Sequence, residues 1–409
     1  MGNPDQDLRS IMFENYKNGC NVVGATCSSI GDKRSTTGYT QFFRNYCEVF
    51  NYKNASKTKI EFTTVIQDES SKATPAELVL PFVYGHKAIV IGDHRQLPPM
   101  LDKEEFEDTL EYALSTTKDP AEKEHLNELK AYVEAHFAEM EISHFQKLYE
   151  HIDASLKSSF TLQYRMHPDI NQVIEQFYVK DGGLKCGLQH PKDLGVDDPD
   201  ISNKFSRYHG INIEGLITPD THVLFIDSNS PELKDGNSRV NYGEAETIDR
   251  LLTKFEESES FHEYLSHFSS IEDKQIGVIS FYGKQIKQLR SVAYKHKIPI
   301  RVSTVDRFQG MERNIIIVSM VRSDVIQTVK GEQPDYARYK KGYPEQKSLG
   351  FAQSPNRLNV ALSRARRLLI IVGNRGHFSR AEIYRKLFQV IEDNSFGNTK
   401  NVVLSQEEI

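Results

Sequence analysis

The sequence predicts an α/β protein in which parallel sheets are covered by helices. Three observations carry that reading. Apolar, β-rich runs alternate with segments of helical periodicity. The longest apolar run, around Ile315–Val321, has the length of a strand and falls far short of the roughly 18 residues a membrane span needs. A chain of 409 residues is long enough for two or three domains.

Taken in order, the predicted strands are Asn21–Cys27, Thr63–Gln67, Ala88–Ile91, Ser159–Leu162, His222–Ile226, Gln275–Ser280, Arg301–Thr304, Asn314–Met320 and Leu368–Val372. Residues 102–150 interrupt the alternation with Leu, Phe and Tyr spaced heptad-like among Glu and Lys, which predicts two or three helices. Residues 184–220, rich in Asp, Pro, Gly and Asn, read as an irregular connection, and 326–350 as a second polar insertion. A new αβ unit begins at Ser158–Gln163, so the domain boundary is expected near residue 155. The expected domains are then 1–155, with only about three strands, and 156–392, followed by a tail at 393–409.

Composition excludes several classes. Hydrophobic residues make up 38% and charged residues 26%, an ordinary balance for soluble globular protein. The start, Met1-Gly2-Asn3-Pro4-Asp5, has neither the basic stretch nor the apolar core of a secretory signal. Cys20, Cys27, Cys47 and Cys186 form no Cys-x-x-Cys pair, which points to a reducing compartment, cytosolic or nuclear, and to no cysteine metal site. The net charge of −6 hides an asymmetry. Residues 101–150 hold 14 acidic against 5 basic side chains, whereas 274–386 hold 7 against 23, an excess of 16 positive charges. Such a field suits a polyanion; the alternative is Lys and Arg scattered over solvated helices.

Five segments carry phosphate chemistry. Thr63-Thr-Val-Ile-Gln-Asp68-Glu69 is an apolar strand ending in paired carboxylates. One carboxylate can hold the hydration shell of Mg²⁺ and the other can activate water, although a solvated strand end reads the same way in isolation. Ala88-Ile-Val-Ile-Gly-Asp93-His-Arg-Gln96-Leu-Pro-Pro leads a buried strand into a tight turn. The neutral amide of Gln96 there can bond an attacking water or a terminal phosphate oxygen, or be merely structural. In Phe160-Thr-Leu-Gln-Tyr-Arg165-Met-His-Pro168 a strand gives way to a helix start, which projects the fixed planar fork of Arg165. His167 beside a proline reads as structural before it reads as a general base. Ser303-Thr-Val-Asp-Arg-Phe-Gln-Gly310-Met-Glu312 joins two strands. Gly310 permits close backbone approach, and Glu312 can accept from a ribose or orient an arginine. Finally, Leu358–Arg367 reads as a helix with Arg364 between small neighbours, and Arg366 and Arg367 on a solvated basic face.

In this order the five segments resemble the motor core of superfamily 1 helicases, specifically the nonsense-decay helicase and senataxin group, whose branch moves 5′ to 3′. The resemblance spans about 18–100 and 145–380. It implies two RecA-like domains of the phosphate-loop NTPase type, the first incomplete and bearing the helical insertion. It implies ATP and Mg²⁺ as cofactors and single-stranded DNA or RNA as partner. By resemblance, Asp68 holds Mg²⁺ through water, Glu69 polarises the attacking water, and Gln96 couples phosphate state to movement. Arg165 and Arg364 reach the γ-phosphate, with Asp93, Tyr164, Gly310 and Glu312 around the nucleotide. Thr26, Ser280, Tyr282 and Thr304 contact the nucleic acid, Tyr282 reading from sequence alone as an exposed aromatic. Residues 21–32 resemble the group's nucleic-acid-contacting strand and loop.

One family element is missing from these residues: no Gly-x-x-x-x-Gly-Lys-Ser/Thr phosphate loop occurs, and Gly24 to Gly31 has the wrong spacing. The expectation is a fragment or split-gene product whose N-terminal portion acts in trans or is absent. The alternatives are a non-hydrolysing remnant that binds nucleic acid or protein, and residual ATPase from a substitute phosphate site. The acidic insertion could dock a partner.

Overall fold

The computed structural model describes residues 22–27, 62–99, 103–140, 142–188, 207–235, 238–268, 275–324, 326–327, 348–393 and 403–405. The chain divides into two units, Met1–Lys157 and Ser158–Ile409.

In the first unit, β1 (Phe62–Gln67) and β2 (Gly85–Val90) pair in parallel with Val65 opposite Ala88. The crossover contains α1 (Pro75–Val79). Its start is fixed by a capping box: the Thr74 hydroxyl accepts from Glu77 N while the Glu77 carboxylate accepts from Thr74 N. Residues 22–26, expected as strand, are irregular, so the described residues of this unit hold two strands rather than three. Among the described residues this segment has no ladder partner, and strand propensity needs one to be expressed. Three helices follow, α2 (Lys103–Thr116), α3 (Pro120–Met140) and α4 (His144–His151), as the acidic 102–150 segment predicted.

The second unit opens with a two-residue parallel pair, β3 (Leu162–Gln163) with β4 (Lys185–Cys186), and between them α5 (Pro168–Glu175). Its main sheet holds β5 (Val223–Asp227), β8 (Ile276–Ser280), β9 (Ile300–Thr304), β10 (Arg313–Ser319), β12 (Ala365–Gly373) and β13 (Val403–Ser405), all parallel, in the order 13-5-12-10-8-9. β13 lies in the segment expected as a tail. The central strands are buried along almost their whole length, which explains their unbroken apolar runs: helices cover a parallel sheet on both faces.

One core face gathers Leu224, Ile226, Val278, Ile315, Ile317, Leu368 and Ile370 against Ile248, Leu251 and Phe255 of α6 (Tyr242–Glu257) and Phe261 and Tyr264 of α7 (Glu259–Ser266). α8 (Gly283–Ala293) links β8 to β9, and α9 (Val305–Phe308) follows β9. α10 (Pro355–Leu362) precedes β12 and starts on Ser354, whose hydroxyl accepts from Arg357 N. α11 (Arg375–Phe378) and α12 (Glu382–Asp393) complete the unit. A small side sheet of β6 (Glu232–Asp235), β7 (Ser238–Val240) and β11 (Ile326–Gln327) stands apart.

The helix expected to run through Arg367 stops at Leu362. Arg366 and Arg367 belong to β12, where they have partners inside the protein instead of a solvated face. Among the described residues no helix is long and apolar enough to cross a membrane.

Candidate functional site

In the first unit two loops meet at the C-terminal ends of β1 and β2, the edge at which open α/β sheets take ligands. Ile91 N donates to Gln67 O at 2.8 Å and Ser70 N donates to Ile91 O at 2.9 Å, so the turn after β1 is tied to the turn after β2. Between them Glu69 adopts φ 53°, ψ 33°, a left-handed conformation that costs a non-glycine residue about 1–2 kcal/mol. Its N–H donates to Asp68 Oδ1 at 2.9 Å, and both carboxylates stay exposed. A strained turn that presents two solvated carboxylates is what a hydrated cation and a water nucleophile require.

The second loop approaches closely because Gly92 has no side chain: a Cβ there would stand 2.8 Å from Ser71 N. Asp93 organises this loop. Its Oδ1 accepts from Arg95 N at 2.9 Å, and its Oδ2 accepts from the Gln96 side-chain amide at 2.8 Å. Gln96 is thus held by the carboxylate of Asp93. Thr26 is exposed at the end of the irregular segment 22–26, and the residues after Cys27 in the loop expected to contact nucleic acid lie outside the described residues.

In the second unit the loop after β3 is fixed from within by Gln163, whose side-chain oxygen accepts from Arg165 N at 2.7 Å and Met166 N at 3.0 Å. Arg165 Nε donates to Glu312 Oε2 at 2.7 Å, and the other oxygen of Glu312 takes a guanidinium N–H of Arg366. Of the two roles open to Glu312, orienting an arginine is the one present, and it orients two. Gly310, just before it, has φ +77° with open space where a Cβ would sit. Tyr164 is 55% exposed, its ring against Gly187, where a Cβ would be 2.4 Å from the ring.

Arg364 is buried. Its Nε donates to Val360 O at 3.1 Å and its Nη2 to Ser363 Oγ at 2.9 Å, so the guanidinium turns back onto its own helix end. The neighbouring Ser363 O lies 3.5 Å from Arg165 Nη1. Arg165, Glu312, Ser363, Arg364 and Arg366 therefore form one neighbourhood.

Two further side chains belong to it that the sequence did not reveal. Arg207, at φ 55°, donates from Nε to Arg165 O at 2.5 Å and from Nη2 to Tyr164 O at 3.0 Å. Burial, then Arg366 and Arg367, pull its pKa down to about 10. It lies in the irregular 184–220 connection, where a lone arginine gives no signal. His222 donates from Nδ1 to Arg367 O at 2.6 Å and stacks on His167 with centroids 3.4 Å apart and planes 10° apart.

His167, Asp169 and His222 are all buried, and their donor atoms lie within 4.8 Å of one another. Two imidazoles on one tetrahedral ion must converge their in-plane lone pairs on a point about 2.0–2.1 Å away, which splays the rings apart. A parallel stack does the opposite. The cluster is packing: His167 Nδ1 accepts from Asp169 N at 3.2 Å and caps α5, the structural reading of that histidine.

The residues expected to contact nucleic acid are less accessible than their positions suggested. Ser280, at the end of β8, is fully buried, and its hydroxyl has no hydrogen-bond partner among the described residues. Tyr282 is only 4% exposed, not an exposed aromatic, and its hydroxyl accepts from Phe351 N at 3.3 Å and lies 3.4 Å from Arg322 Nη1. Thr304, ending β9, is half-buried. Beneath this edge runs a buried polar network. Glu232 takes Arg322 Nε and Arg239 Nη1, each at 2.7 Å. Glu244 accepts from Ser319 Oγ at 2.6 Å and from Val321 N at 2.9 Å, and burial pushes its carboxyl up to about 8.

Comparison with known proteins gives this arrangement its class. A family profile described as an AAA domain matches residues 140–376, and a second with the same description matches 47–104. The first covers more than half of the chain, which belongs to this family and, within it, to the superfamily 1 helicases of the nonsense-decay helicase group. The chain is 27% identical over 401 residues to the regulator of nonsense transcripts 1 of Dictyostelium discoideum, covering 96% of this chain and 23% of that protein. An uncharacterized ATP-dependent helicase of Methanocaldococcus jannaschii is 26% identical over 340 residues, 80% of this chain and 38% of that one. A DNA replication ATP-dependent helicase/nuclease of Schizosaccharomyces pombe is 28% identical over 368 residues, 87% and 21%. The chain thus spans well under half the length of these relatives.

Proposed function

We propose that this chain is the motor portion of an ATP-dependent helicase or translocase that couples ATP hydrolysis to movement on single-stranded DNA or RNA. The observation that carries the reading is the arginine array around Glu312: one carboxylate orients Arg165 and Arg366 beside Arg364, on the segments where the family keeps its phosphate-sensing cations.

The donor sets fit Mg²⁺-ATP, because the exposed Asp68 and Glu69 suit a hard, hydrated cation and the arginines suit phosphate oxygens. When bound, Mg²⁺-ATP supplies the phosphoanhydride to be cleaved. Asp68 would accept hydrogen bonds from the waters of a bound Mg²⁺, and Glu69 would take the proton of the attacking water. Gln96, held by Asp93, would exchange that bond for one to a terminal phosphate or the water. Within the second unit, Arg165 would donate to a phosphate oxygen from its place on Glu312. Arg364 must first release Val360 O and Ser363 Oγ, so its engagement depends on nucleotide. Tyr164 and Gly310 would border the nucleotide; the exposed Thr26 and the half-buried Thr304 would each face nucleic acid, while the buried Ser280 and Tyr282 would shape the sheet edge from behind. A phosphate loop contributed by another segment, in the same polypeptide or in trans, completes the site.

The test measures binding of a fluorescent ATP analogue and of a single-stranded oligonucleotide, then ATP turnover after adding a polypeptide that carries the phosphate loop. Turnover should be weak or absent without that addition. Once restored, Arg165→Ala and Arg364→Ala should each lower it by about 10³-fold or more. Retention of full turnover by both variants sinks the assignment. The rival reading is a non-hydrolysing binder of nucleic acid or of a protein. Single-strand affinity that falls with salt yet ignores ATP analogues would select it.

A further inference from the structure

With Tyr282 buried, another aromatic holds the surface at the end of β8. Phe351 is 47% exposed, its ring 5.2 Å from that of Tyr282 and tilted by 40°. The Arg357 guanidinium, itself half-buried, lies over the Phe351 ring, 4.8 Å from its centroid.

The position of Phe351 is tightly determined. Gly350 has φ +56°, and a Cβ there would stand 2.1 Å from both Arg322 Nη1 and Tyr282 Oη, so only glycine lets the backbone come this close. Tyr282 Oη then accepts from Phe351 N at 3.3 Å. Arg357 faces Asp306, which follows β9, at 3.6 Å. β8 and β9 are neighbours, so Phe351 and Arg357 stand at the C-terminal edge of the sheet, beside the ends of the strands carrying Ser280 and Thr304.

We propose that Phe351 and Arg357 form a stacking platform for one base of a single-stranded nucleic acid. The base takes the face of the Phe351 ring that Arg357 covers, and the displaced guanidinium lies on the base or moves to the adjacent phosphate. The inference rests on the reading that the chain binds single strands, and it names the aromatic that does so. An aromatic face takes any base, because every base has a π-face, and an arginine plane does the same while also neutralising phosphate. Asp306 opposes the phosphate and competes for Arg357, so it sets an upper limit on affinity.

The chain is titrated with single-stranded oligonucleotides containing 2-aminopurine at several salt concentrations; it has no tryptophan to interfere. Phe351→Ala should weaken binding about tenfold while the log–log salt slope stays unchanged, since stacking releases no counterion. Phe351→Tyr should bind like the parent, whereas Phe351→Leu, which keeps apolar bulk without a ring, should behave like the alanine variant. Arg357→Ala should reduce the slope by about 0.7, and Asp306→Asn should tighten binding. Quenching of 2-aminopurine should be lost in Phe351→Leu.

Equal binding by the Leu and Tyr variants, or by Ala and the parent, overturns the platform while leaving the functional reading intact. Absence of salt-dependent binding by the parent chain defeats that reading itself, and the platform falls with it.

Discussion

Replacing Arg207 by alanine should destabilise the second unit by about 2 kcal/mol, and the estimate follows from what the side chain touches. Its guanidinium donates to the carbonyls of Tyr164 and Arg165, and a hydrogen bond to a charged group contributes about 1.5–3 kcal/mol. One effect offsets part of that sum: Arg366 and Arg367 lie close enough to repel Arg207. Its left-handed backbone costs about 1–2 kcal/mol, but the alanine variant keeps that cost, so it does not enter this difference. For a unit of this size the loss corresponds to a melting temperature lower by about 4–8 °C.

Alanine keeps the backbone strain and glycine removes it, so Arg207→Gly should melt above Arg207→Ala by an amount corresponding to about 1 kcal/mol. Thermal melts followed by far-ultraviolet circular dichroism give both numbers, and hydrogen exchange at the Arg165 and Met166 amides reads the loop directly. Equal melting of the parent and alanine proteins would refute the clamp. Equal melting of the two variants would refute the strain.

Three other outcomes are expected. Glu244 has its folded pKa raised from 4.5 to about 8, so its contribution to stability is complete below about 4.5 and lost as pH rises through about 8; Glu244→Gln should flatten the stability–pH curve over that window. Asp249 and Glu256 are partly desolvated, which alone would raise them. Asp249's bonds to Lys295 and His296, and Glu256's to His296 and the Lys297 amide, outweigh this and hold both below the usual carboxylate range. Their contribution is lost as pH falls through those depressed values, and His296→Asn should move the acid-unfolding midpoint to higher pH. Gly350→Ala should lower the melting temperature by several degrees, because its methyl would overlap Arg322 and Tyr282; an unchanged melt would contradict the close approach.

Strands buried on both faces were the most legible elements. The run Ile315–Val318 has one physical explanation, and β10 occupies it. Residues 21–27 have similar β propensity, but strand propensity expresses packing against neighbours, and the described part of that segment pairs with nothing. The Arg-Ala-Arg-Arg run was misplaced on a helix because charged residues rarely enter a buried strand. Arg366 and Arg367 do so only because Glu312, Phe268 and Tyr208 receive them, and those partners are far away in sequence. At the site, the residue types and their order were readable, whereas accessibility was not. Nothing local to Tyr282 reports that Phe351 will cover it, and nothing local to Tyr164 reports that Arg207 will bind its carbonyl.

The sheet order also constrains how the second unit can be made on the ribosome. β5 lies between β12 and β13, so Val223 and the residues after it must wait for Leu369 to Gly373 and then for Val403 to Ser405. Throughout that interval a strand whose first four residues are apolar has neither of its ladder neighbours, while β8, β9 and β10 can already assemble. Nascent chains halted before residue 365 should therefore recruit chaperones or aggregate.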